Sequence, residues 1–273
     1  MDCVFIVSTL SLSFLLGLPF VYFIPSSYFK NKYWVTPIFG YGFIGFLATI
    51  LYKHKVSQAH LFTICWVTVL LISSITLYKK FDYLKERIKF SKTDILVLFL
   101  WLLAFFVILA PYWIGGLQFA LFQAWIWDQI AYVGASLKFQ HKTYYQAMRC
   151  GGSSFLLDPV SLMGAIEITR RPTIMILFSF FSEILPKETY RFGYLYQSFF
   201  AANGILASVF LMRNIFNCSV LRALCVATGI FLGFWGQVYI DFGAWAMTAV
   251  IPALLVVVTY VCVATRNIHL QNR

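Results

Sequence analysis

Asp128 is the residue in this sequence best suited to chemistry. It lies in Trp125-Ile126-Trp127-Asp128-Gln129-Ile130-Ala131-Tyr132, an acid set among aromatic rings. Partial loss of water beside such rings favours the protonated carboxyl and suits the group to general-base work. The bland alternative is that Asp128 keeps one face of a surface helix wet. Asp241 is the candidate for a second carboxylate. Together the two acids would allow a divalent cation as cofactor, because a hard cation takes oxygen ligands. Alone, Asp241 would cap the helix that follows it.

Arg170, Arg171, Lys187 and Arg191 form a basic set in the same region. Guanidinium forks bind phosphate oxygens in pairs, so a lipid phosphate or diphosphate is a natural ligand. Generic headgroup contact is the alternative. His141 stands alone, a solvated histidine rather than a ligand. Asp158 and Glu167 fit helix ends. Gly151-Gly152 is a weak signal for an anion nest. No phosphate-binding loop, nucleophile elbow, H-E-x-x-H or paired C-x-x-C is present.

The elements that must position these residues are membrane helices. The chain has 273 residues, 61% hydrophobic and 11% charged, and a mean hydropathy of +0.80. A soluble domain is nearer a quarter charged, so a soluble globular enzyme is excluded. In lipid only helices and closed barrels satisfy the backbone. The runs here are continuous rather than alternating, which excludes a barrel. The expected fold is all-α and polytopic, with about seven spans: 3–24, 34–52, 58–78, 93–111, 190–212, 221–240 and 244–265. All belong to one transmembrane domain, 1–273. Residues 1–92 form a three-helix part, and 93–273 carry a long outer loop, 111–190.

The net charge of +11 points to topology and anionic headgroups rather than to nucleic acid, because the basic residues lie between spans. Lys30, Lys32, the run Lys79 to Lys92, Arg213, Arg222, Arg266 and Arg273 fall on one side if the N-terminus is outside and the C-terminus inside. The long loop then faces outward. Within it, Pro111-Tyr112-Trp113 ends the fourth span, and 117–138 is an interfacial helix. Asp158-Pro159 opens a short helix to about Thr169. The apolar run Thr173 to Leu185 is too short to cross and suits a re-entrant or interfacial helix. The six cysteines read as small buried hydrophobes with no disulfide framework.

Three motifs occur in order: W-D-Q-x-x-Y-x-x-A (Trp127, Asp128, Gln129, Tyr132, Ala135), R-P (Arg171-Pro172) and W-G-Q-x-Y-x-D (Trp235, Gly236, Gln237, Tyr239, Asp241). Over roughly 93–265 the chain resembles bacterial membrane-embedded glycosyltransferases of the GT-C superfamily. The resemblance implies transfer of a sugar from a polyprenyl-phosphate carrier to an acceptor outside the cytoplasmic membrane. It gives Asp128 the catalytic role and makes Gln129, Tyr132, Arg170, Arg171 and Arg191 contacts to substrate or lipid phosphate. In that family the large loop usually follows the first span; here it follows the fourth. Such enzymes are also longer, so the chain is expected to be the N-terminal portion of a longer relative, or to work with a protein partner supplying further helices. A carrier or flippase for lipid-linked sugars and a non-catalytic membrane subunit are the alternatives.

Overall fold

The computed structural model describes residues 2–24, 29–54, 56, 58–87, 91–122, 172–184, 189–231 and 245–271. Among them every regular element is helical. Eight α-helices occur: α1 (Asp2–Phe23), α2 (Thr36–Lys53), α3 (Gln58–Arg87), α4 (Lys92–Phe122), α5 (Pro172–Ser182), α6 (Thr189–Asn214), α7 (Val220–Phe231) and α8 (Trp245–Gln271). A 3₁₀ turn, Lys32–Val35, leads into α2.

Long apolar runs make these helices, since a segment in lipid must satisfy its own backbone. Five stretches are long and apolar enough to cross a bilayer: Ile6–Phe23, Lys32–Leu51, Lys92–Gly115, Leu195–Asn214 and Thr248–Asn267. The other two expected spans are helical with shorter apolar stretches among the described residues, His60–Ile72 in α3 and Val220–Ile230 in α7.

The bundle is built around α6. Along Leu195–Asn214, 89% of the residues are buried, against 33% to 44% along the other four candidate spans. One face of α6 carries Tyr196, Phe200, Ala207 and Phe210, all fully buried. Tyr196 and Phe200 stack edge to face at 4.3 Å, and Tyr41 of α2 meets Phe200 at 4.6 Å. Apolar side chains gain little by leaving lipid for protein, so such close packing is what joins the helices. Each aromatic pair adds about 0.5–1.5 kcal/mol.

α1 and α2 approach backbone to backbone. A Cβ on Gly40 would overlap the Ser13 carbonyl oxygen and lie 2.8 Å from Ser13 Cα. A Cβ on Gly17 would overlap the Thr36 carbonyl oxygen and lie 2.9 Å from the Gly40 nitrogen. Small residues at such crossings are the usual means of close packing in membranes.

Two readings from the sequence need correction. α4 does not end at Pro111 but continues to Phe122. Proline removes one intrahelical hydrogen bond, a loss that membrane helices accommodate, and the apolar residues beyond it extend the helix. The interfacial helix expected from 117 therefore begins, as far as it is described, as the end of α4. Of the four cysteines with described side chains, Cys65 is buried, Cys218 is half-buried, and Cys225 and Cys262 are exposed on apolar helices. All four are free thiols. Cys3 lies in α1, and Cys150 lies outside what is described.

α5 has the short, non-crossing length expected of the run from Thr173. It has 11 residues, about 16 Å of helix, half of what a crossing needs. From Met175 to Ser182 every residue is buried. Phe178 lies 4.8 Å from Tyr196, and Phe180 lies 5.4 Å from Phe62 of α3. α5 is thus a half-length helix enclosed by the bundle, not one laid along a lipid surface.

Candidate functional site

Of the residues singled out in the sequence, Asp128, Gln129, Tyr132, Arg170, Arg171 and Asp241 lie outside the described residues, as do Trp125, Trp127 and His141. Arg191 falls in the first turn of α6. Pro172, the residue after Arg171, begins α5. The basic step Arg170-Arg171 therefore precedes a helix N-terminus, the end that carries partial positive charge. Among the described residues, no three His, Cys, Asp or Glu side chains gather as metal ligands. Both carboxylates considered for a divalent cation lie outside that set.

The described polar chemistry is concentrated in two places that sequence reasoning missed. The first is at one end of the bundle, where the α1–α2 connection meets the end of α6. The Lys30 backbone N–H donates to Asn214 Oδ1 at 2.8 Å, and Asn214 Nδ2 donates back to the Lys30 carbonyl at 3.1 Å. Lys30 Nζ donates to Asn217 Oδ1 at 2.6 Å. Arg213 donates to the Cys218 carbonyl at 3.2 Å and to Asn31 Oδ1 at 3.3 Å. Asn31 and Asn217 have φ of 56° and 55°, the left-handed region that asparagine tolerates better than most residues. Buried Lys32 donates to the Ile24 carbonyl and, at 3.5 Å, to the Tyr22 carbonyl. It thereby caps the negative end of α1.

The same end holds the start of α4. The Ser91 N–H and hydroxyl donate to Asp94 Oδ2 at 2.8 and 2.6 Å, while the Asp94 N–H donates to Ser91 Oγ at 3.2 Å. This is a reciprocal cap of the S-x-x-D kind. Trp34 Nε1 donates to Asp94 Oδ1 at 2.7 Å, tying the 3₁₀ turn to α4. Tyr260 of α8 reaches this end too, 4.3 Å from Phe29 and 5.6 Å from Phe210. Lys30, Lys32, Lys92, Arg213 and Arg222 thus belong to one end of the bundle.

The second place is inside. Asn203, midway along α6, is fully buried, and neither its amide oxygen nor its nitrogen has a hydrogen-bond partner among the described residues. Ser179 and Ser182 of α5 are also fully buried with unpartnered hydroxyls. The signal for Asn203 was visible in Ala201-Ala202-Asn203-Gly204, an amide inside an apolar run. Polar residues within spans are costly and are functional candidates by default.

These features define an all-α polytopic membrane protein with a buried half-length helix beside its central span. No family model, curated protein or solved structure matches the chain.

Proposed function

We propose that the chain is a membrane-embedded glycosyltransferase. It moves a sugar from a polyprenyl-phosphate-linked donor to an acceptor on the outer side of the cytoplasmic membrane, with the N-terminus outside and the C-terminus inside. The observation that carries the reading is α5. A half-length helix enclosed by spans, preceded directly by Arg170-Arg171, suits a donor whose phosphate sits at the membrane surface and whose chain stays in lipid.

In this mechanism the acceptor hydroxyl oxygen forms the bond to the anomeric carbon, and the bond from that carbon to the phosphate oxygen breaks. Asp128 takes the acceptor's proton and later passes it to water. The leaving lipid phosphate carries the developing negative charge, which Arg170 and Arg171 stabilise. Gln129 and Tyr132 hold the sugar by hydrogen bonds, and Arg191 adds a further phosphate contact. A divalent cation held by Asp128 and Asp241 would add Lewis acidity at the phosphate. Membrane lipids surround the bundle, and a protein partner would supply further helices.

A second reading is a carrier or flippase for lipid-linked sugars. α5 and Asn203 favour it, because carriers place interrupted helices and polar groups inside the bundle. One experiment separates the two. Membranes containing the protein are given a polyprenyl-phosphate donor with a labelled sugar, and transfer to acceptor and release of polyprenyl phosphate are both followed. The enzyme reading expects both products, and Asp128→Asn lowers the rate by about 10²–10⁴-fold. An Asp128→Asn variant that expresses normally and keeps full turnover overturns it. Movement of intact donor between leaflets without release of polyprenyl phosphate identifies a carrier.

A further inference from the structure

The junction at the end of α6 has chemistry of its own. Two cations, Lys30 and Arg213, are held in one hydrogen-bonded knot, and among the described residues each donates to amide or carbonyl oxygens. Asp94, the carboxylate described at this end, is engaged by Ser91 and Trp34. The positive charge of the knot is therefore fixed in place, with no acid among its partners in the described residues. Lys30 Nζ spends one of its three N–H donors on Asn217, and the Lys30 side chain is exposed. The Arg213 guanidinium spends two of its five and keeps Nε–H buried, so its remaining donors are on the two terminal nitrogens. Donors thus remain for an incoming anion. Exposed apolar side chains flank them: Phe23 at the end of α1, and Phe216 and Leu221 around the α6–α7 turn.

We propose that this junction is a binding site for an anionic phospholipid, gripped by its phosphate. Lys30 and Arg213 bind the phosphate oxygens, and the acyl chains lie over Phe23, Phe216 and Leu221. Charge alone would serve a soluble phosphate equally well. The apolar rim, at the ends of membrane helices, selects the lipid. Knotting the two cations with asparagine amides preorganises them, so little side-chain freedom is lost when the headgroup arrives.

The test is a native mass-spectrometry titration of the intact protein in detergent, with phosphatidylglycerol and phosphatidylcholine of matched chains. The wild type should prefer phosphatidylglycerol. Lys30→Gln should weaken that binding about fivefold, the worth of one basic residue near an anionic surface. Its fold should survive, because the tie to Asn214 runs through the Lys30 backbone. Lys92→Gln, an exposed cation at the same end, serves as the control and should bind as the wild type does. Three results would overturn the proposal. They are unchanged lipid preference in Lys30→Gln, an equal loss in Lys92→Gln, and displacement of the lipid by millimolar inorganic phosphate. The last would assign the site to a soluble anion.

Discussion

Gly40→Ala adds one methyl group where α1 and α2 touch. A Cβ at Gly40 meets backbone, the Ser13 carbonyl and Cα, which cannot swing aside as a flexible side chain would. An ordinary C···O approach is about 3.3 Å or more, so the helices must part by about 2 Å along the seam. A gap of that size forfeits at least about half of each dispersion contact it opens. The contacts at stake are those of Leu12, Leu16, Ile38, Tyr41 and Ile44, all buried. Overpacking of this kind costs about 1–3 kcal/mol, and the upper end applies because the obstacle is backbone. At about 2–4 °C per kcal/mol for a chain of this size, the thermal midpoint should fall by about 6–12 °C.

Gly42 supplies the internal control, since a Cβ there has nothing within 4 Å. Gly42→Ala should be neutral or stabilise by about 0.5–1 kcal/mol through helix propensity. Both variants would be melted in the same detergent, followed by intrinsic fluorescence. The eight tryptophans give signal, although several lie outside the described helices. If Gly40→Ala and Gly42→Ala melt together, the close contact between α1 and α2 is wrong, and with it the placement of Ser13 against Gly40.

Two further outcomes follow from particular residues. In a background without native cysteines, a cysteine at Ser136 should react with an impermeant thiol reagent added outside intact cells, and one at Ser91 should not; the reverse pattern would invert the topology proposed above. Asn203→Leu removes a buried amide that lacks partners among the described residues and should raise stability by about 1–3 kcal/mol in chemical denaturation, while a loss of stability would mean that the amide is satisfied.

Span positions were legible because length and continuous apolarity suffice to fix a membrane helix. α1 begins and ends within a residue of the expected 3–24, and α6 within two of 190–212. What failed concerned relations between helices. Pro111 is a reliable breaker in water, but in an apolar run it does not stop α4. The run from Thr173 could be recognised as too short to cross. Its enclosure could not, since a largely apolar helix reads alike in lipid and in protein. The knot at Lys30 was illegible for another reason: its partners Lys30 and Asn214 are 184 positions apart, and each looks like an ordinary turn residue alone. For the candidate site, the sequence supplied residue types and motif order, while its principal residues, Asp128, Arg170, Arg171 and Asp241, lie outside the described structure.

The weight of the functional question therefore falls on α5. Every described side chain from Met175 to Ser182 is buried, so its surroundings are the bundle and not bulk lipid. A helix that only filled space could be wholly apolar, yet this one carries Ser179 and Ser182 three residues apart. That spacing puts both hydroxyls on one face, and both lack a partner among the described residues. A buried hydroxyl without a partner costs about 1–3 kcal/mol, a cost that binding of a polar group could offset. In the glycosyltransferase reading the helix is a fixed wall under the Arg170-Arg171 step, and the serines are incidental. In the carrier reading the serine face lines the route taken by the sugar. Replacing both serines with alanine distinguishes these roles: a wall keeps its function and gains stability, whereas a lining loses substrate affinity.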